Sequence, residues 1–157
     1  GTSTSGTVTE SGLRDRAVKY IRDGIIGDDT VADHTGRMDL PVDATSSYVL
    51  GLDYTVRAKT MPTEPVLQSG SVQGFKKRIV QVDALVNETK DLVINSKQIS
   101  FRNFGEDVLD AAIQPFTGLK TVHGMLGYSA TGQITITQNV PLPMTVLGLE
   151  YKLSVGS

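Results

Sequence analysis

Cysteine is absent from the 157 residues, which excludes disulfides, thiolate metal sites and cysteine nucleophiles together. Tryptophan is absent too, and aromatic residues make up only 6% of the chain, which counts against a sugar-binding face of stacked rings. No stretch approaches the ~18 consecutive apolar residues of a spanning helix. No basic-then-apolar opening resembles a signal peptide, and Gly1 in place of Met reads as a trimmed or excerpted chain. A marked excess of either charge is missing as well. Fifteen basic residues against 17 acidic leave a net −2, so whole-chain electrostatics give no argument for a nucleic acid or a membrane as partner. What is present is a chain 39% apolar and 20% charged, long enough to bury a core of its own.

Patterning along the chain is mostly β. Apart from Val8 and Glu10, residues 1–12 are Gly, Ser and Thr with little to bury, and they read as a flexible linker. Across 13–26, Leu13, Ala17, Tyr20 and Ile21 fit helical spacing, while Val18, Tyr20 and Arg22 alternate as in a strand. The turn pair Asp23 and Gly24 favours a strand entering a hairpin. A long β-branched and aromatic strand is expected over 48–60, with Gly51 marking a bulge or a close backbone approach. A loop punctuated by Pro62, Pro65, Gly70 and Gly74 follows. The run KKRIVQVDALVN, ending at Asn87, is so nearly continuously apolar that both faces are expected to be covered. Ser96 and Lys97 fit a two-residue hairpin between 91–95 and 98–102, and 106–111 fits a single helical turn. Short strands are expected at 119–123 and 132–138. In the closing segment Leu147, Leu149, Tyr151 and Leu153 alternate with polar or small residues, and this face is expected inside with Val80, Val82 and Leu85. The fold class that follows is all-β: an antiparallel sandwich or barrel-like domain with long loops and little helix. The chain divides into the linker (1–12), a small β-hairpin appendage (13–47) and a main antiparallel β domain (48–157).

Reactive chemistry is sparse. His34 and His123 have no second histidine at ligand spacing, and no cofactor is implied. Asp28, Asp29 and Asp33 resemble part of a calcium loop without its full pattern, so they read as a solvated acidic turn. Ser69 and Ser71 flank Gly70, but no nucleophile elbow surrounds them. Glu106, Asp107 and Asp110 read as caps of the helical turn. The stretch 70–78 fails as a phosphate loop because only three residues separate its glycines and a strand follows. What survives there is a basic triplet, Lys76, Lys77 and Arg78, entering a strand. The sequon at Asn87 reads as a turn.

An ordered series of motifs carries a family resemblance: VLGLDYTVRAKTMP (49–62), LQSGSVQGFKKRI (67–79), FRNFG (101–105), FTGLKTV (116–122) and GQITITQNVPLPMTVLGLEYKLSVG (132–156), preceded by VKYIRDGIIGDDTV (18–31). In that order they resemble the C-terminal part of the podophage tail tubular protein B family, the nozzle, also labelled a stabilization or hub protein. Asp53 departs from the family pattern, which often has Pro there. The 18–31 match favours strands over a helix in that segment. The resemblance implies a virion component made in the bacterial cytoplasm and assembled as a ring in the phage tail. Its partners would be other tail proteins and copies of itself, with DNA passing transiently through and no membrane involved. Complete members are several times longer than this chain. The family implies no catalytic residues, so the chain is expected not to be an enzyme. A carbohydrate- or receptor-binding β module is the alternative, with Tyr48, Tyr54 and Tyr128 as its stacking residues.

For the assembly reading, the loop 61–78 is the expected contact surface. It is long for a β connection, Pro62 and Pro65 restrict it, and Lys76, Lys77 and Arg78 concentrate positive charge at its end.

Overall fold

A computed structural model describes residues 6–41, 47–68, 70–102, 112–124 and 127–156. They are almost entirely β, in antiparallel sheets of two to four strands with one 3-10 turn at Ser11–Leu13, and no sheet closes into a barrel. The all-β expectation holds. The expected helical turn at 106–111 lies outside the described residues. Contacts divide the described residues into two units. One comprises those of Gly1–Thr55, Arg102–Gln114 and Asn139–Pro141, the other those of Val56–Phe101, Pro115–Gln138 and Leu142–Ser157.

The first unit holds β1 (Gly6–Thr9), β2 (Ala17–Arg22), β3 (Ile25–Ile26), β4 (Thr30–Val31), β5 (Arg37–Leu40) and β6 (Tyr48–Leu52). Asp23 and Gly24, at φ 50° and 80°, turn β2 back onto β3, so the hairpin wins over the helix. Alternation sends Val18 and Tyr20 inward, where they pack with Ala32, Met38 and Leu40. The ring of Tyr20 lies on Gly27, where an added Cβ would fall 1.9 Å from it, so only glycine fits. On its other side β2 pairs with β6, Tyr20 opposite Leu50. Part of the expected linker is ordered: β1 pairs with β5, Val8 opposite Met38, because Val8 adds to the apolar cluster.

The second unit is organised by a 14-residue strand. Its elements are β7 (Val56–Lys59), β8 (Val66–Leu67), β9 (Gly70–Ser71), β10 (Lys76–Thr89), β11 (Val93–Ile94), β12 (Lys97–Gln98), β13 (Phe116–His123), β14 (Thr135–Gln138) and β15 (Val146–Gly156). β10 runs between β13 and β15, antiparallel to both. A second sheet has the order β12-β11-β14-β7. The strand expected over 48–60 is broken at residues 53–55, and its halves pair in different sheets, β6 with β2 and β7 with β14. At the break, Asp53 forms an ion pair with Lys19 at 3.1 Å. The β11–β12 hairpin is present, but its turn is Asn95 and Ser96, one residue earlier than expected, because both take positive φ. The sequon is a strand bulge and not a turn: Glu88 has φ 46°, and buried Thr89 bonds through its hydroxyl to the carbonyls of Asn87 and Thr145.

The expected core face is corrected by parity and bulges. Val82, Ala84 and Val86 are fully buried, whereas Leu85 is on the opposite parity and 44% exposed. Register shifts between Ile79 and Gln81, and the intervening Val80 is exposed. The shift between Leu85 and Val86 leaves Leu147 as an extra residue on β15, 62% exposed. Leu149, Tyr151 and Leu153 are only half-buried.

Candidate functional site

The loop 61–78 is not an undecorated connection. Its first part is stitched to residues 131–134: Thr60 N donates to Ile134 O, Thr63 N donates to Thr131 O, and the Thr63 hydroxyl bonds Gly132 O and the Tyr151 hydroxyl. Its middle folds into the small β8–β9 hairpin. A tight turn then follows, in which Phe75 N donates to Val72 O and Val72 is buried. Pro62 is exposed and Pro65 half-buried. Two apolar side chains of the loop, Met61 and Val66, stand well into solvent, at 83% and 85% exposure.

The basic triplet does not act as one patch. Lys76 is exposed and Arg78 is half-buried with contacts of its own. Lys77 is 1% exposed. Period two forces this arrangement, because Lys77 shares the inward face of β10 with Ile79. Its backbone exchanges hydrogen bonds with Ser129 at 2.7 and 2.8 Å, and its ammonium donates to Ala130 O at 3.3 Å. Gly132, at φ 55°, lets this stem close in, since a Cβ there would lie 3.3 Å from that of Lys77. The expected concentration of positive charge therefore reduces to Lys76 at the rim.

Beside Lys76 is a cleft of about 520 Å³, lined by Gly74, Phe75, Lys76, Tyr128 and Gly156. Phe75 and Tyr128 are 45% and 51% exposed, so two half-covered rings and one cation define it. No carboxylate or histidine is among these lining residues, so they provide no acid–base pair. The arrangement suits contact with an apolar or acidic surface.

A polar ladder crosses the solvent side of the three-stranded sheet. Asp83 accepts from the Thr121 hydroxyl and from Gln81 Nε2, and Lys152 Nζ donates to Gln81 Oε1 at 3.2 Å. The Thr121 bond is the main cause that holds the Asp83 carboxyl below its usual range, against the opposing effect of burial. Gln81, then Lys152 and His123, add to the lowering. Next to this ladder Leu85 lies opposite Leu119, which is 58% exposed, with Leu147 adjoining. Sequence reasoning missed this surface because the run through β10 looked apolar on both faces. The signal that marks it is Gln81 and Asp83 at the same parity as Leu85.

The remaining candidates separate. Asp33 is a turn cap: its Oδ1 accepts from Thr35 N at 2.7 Å, from the Thr35 hydroxyl at 2.7 Å and from Arg37 N at 2.9 Å. These bonds lower its carboxyl to about 2, while Asp28 and Asp29 are exposed. Among the described residues no group of three or more His or acidic side chains gathers to hold a metal ion. The Ser71 hydroxyl accepts from Gln73 N, and Ser69, Glu106, Asp107 and Asp110 lie outside the described residues. Among those residues, too, no helix is long and apolar enough to cross a membrane. No protein-family model matches the chain, and no curated protein matches it in sequence.

Proposed function

We propose that this chain is a structural module of a bacteriophage tail that works by protein–protein assembly in a nozzle or hub ring. The observation that carries the reading is the ordered motif series, from VKYIRDGIIGDDTV through the closing GQITITQNVPLPMTVLGLEYKLSVG. Several features of the second unit support it. Met61, Val66 and Phe75 project from a loop pinned at its base, and Pro62 stiffens that loop, which lowers the entropy lost on docking. Lys76 adds one cation at the rim, suited to tuning register against an acidic neighbour more than to binding strength. A ring uses two different surfaces of each subunit, and this loop serves as one of them.

The test is a Val66→Asp, Phe75→Asp, Lys76→Glu variant of the full-length protein, followed by electron microscopy of ring and tail assembly. Rings that fail to close, from subunits that remain folded, are the expected result. Normal rings would remove the loop from the contact.

A second reading has one observation behind it. Phe75 and Tyr128 flank a cleft, and exposed rings around a concavity can stack on sugars. Glycan-array binding lost on Tyr128→Ala would favour that module over the tail component.

A further inference from the structure

We propose that β15 is a self-complementary edge through which two copies of this chain pair antiparallel about a two-fold axis at Tyr151. Among the described residues, β15 pairs with β10 alone, so there its outer edge carries no second strand. The other edge of the same sheet is treated differently. There Lys97 Nζ donates to His123 O at 2.5 Å, and Lys120 Nζ, over the rings of Phe101 and Phe116, donates to Ser100 O at 3.2 Å. Lysines placed this way discourage edge pairing; among the described residues, the lysine on β15, Lys152, donates instead to the Gln81 side chain.

Its sequence selects the occupant. β15 runs from Val146 to Gly156, and its midpoint is Tyr151. Antiparallel pairing about that residue sets Glu150 opposite Lys152 of the second copy, and Lys152 opposite its Glu150. On the other face Leu149 meets Leu153 and Tyr151 meets itself, while Gly148 meets Ser154. Slipping the register by two residues in either direction puts Glu150 against Glu150 or Lys152 against Lys152. A two-fold axis normal to the sheet allows only even slips, so the neighbouring registers are penalised by charge. Lys152 is already held over the sheet by Gln81, so the polar ladder would continue through Glu150 of the second copy.

Burial points the same way. Leu149, Tyr151 and Leu153 have the cleanest core alternation in the chain, yet they are only half-buried. Their symmetry mates would complete the cover. The result is one six-stranded sheet in the order β13-β10-β15-β15-β10-β13. The pairing does not rest on the tail reading, because a ring joins two different surfaces and this contact joins a strand to itself.

The test uses the 157-residue chain in sedimentation velocity across concentration. A monomer–dimer equilibrium is expected. Glu150→Lys or Lys152→Glu alone should weaken it about tenfold, and the double exchange should restore it to within about threefold. The absence of cysteine permits a clean geometric check. Tyr151→Cys places two sulfurs on the axis across a strand pair, ~4.5–5.5 Å between Cα atoms, within disulfide reach. Lys152→Cys places them about 7–8 Å apart on a diagonal. Rapid oxidation to a dimer is expected for the first and not for the second. A monomer up to ~1 mM, a dimer indifferent to both single charge reversals, or equal crosslinking at 151 and 152 would each overturn the proposal.

Discussion

Both units pair antiparallel strands that are distant in sequence, β1 with β5 in one and β10 with β13 in the other, but different features stand out in each. In the first, β2 meets β3 across two residues, and Asp33 ties the turn that leads from β4, paired with β2, into β5, paired with β1, so local chemistry shapes these turns. In the second, β10 meets β13 and β15 across long intervening stretches, and bulges at Val80 and Leu147 absorb the mismatch. Turn residues stand out in the hairpins of the first unit, and packing parity stands out along the long strand of the second. A substitution should therefore be costly for different reasons in each.

Core truncation should have the largest effect and should not distinguish the units. Leu40→Ala in the first and Leu92→Ala in the second remove side chains that are 1% and 0% exposed. Each is expected to lose about 2–5 kcal/mol in urea unfolding. Turn substitutions should separate them. Gly36, at φ 85°, would put a Cβ 2.2 Å from Glu10 O, whereas Gly74, at φ 92°, faces open space. Gly74→Ala should lose only the ~1–2 kcal/mol of a left-handed residue, and Gly36→Ala clearly more. Equal losses at the two glycines would break the comparison.

Smaller effects follow for half-covered and capping groups. Leu149→Ala should lose about 1–2 kcal/mol, below the full-burial range, since a single chain covers only part of it. Acid should probe the first unit through Asp33. Its carboxyl is at about 2 in the folded state against 3.8 ordinarily. The charged form is favoured by folding, so the contribution is complete above about 4 and disappears as pH falls toward 2. Asp33→Asn should flatten that part of an acid titration followed by circular dichroism. Smallest of all, Lys77→Met should change stability by no more than about 1 kcal/mol, because an apolar chain of similar length fits a buried stem.

These differences explain what the sequence made legible. Asp23 with Gly24 announced a hairpin because positive φ is a local demand that few residues meet, and Asn95 with Ser96 showed the same demand displaced by one position. The fold class was legible from strand patterning after Tyr48. Which face of β10 points inward was not, since Val80, Val82 and Leu85 are equally apolar and only their register against β13 and β15 sorts them. The strand break at 53–55 was hidden for the same reason: β6 and β7 read as one segment until their partners differ. Of the candidate contact residues, Pro62 and Lys76 are exposed, Pro65 and Arg78 are half-covered, and Lys77 is inside. Basic residues in a row look alike in composition and alternate in space.

The burial of Lys77 turns the triplet into a clock for strand opening. Residues 76–78 present three successive bonds that trypsin favours, yet they belong to a strand paired with β15 and bridged to Ser129. A protease needs an extended, detached segment in its cleft, so folded β10 should not serve as substrate. Cleavage after Lys77 then counts the moments when β10 leaves its sheet, and its rate at low protease reports the free energy of that opening.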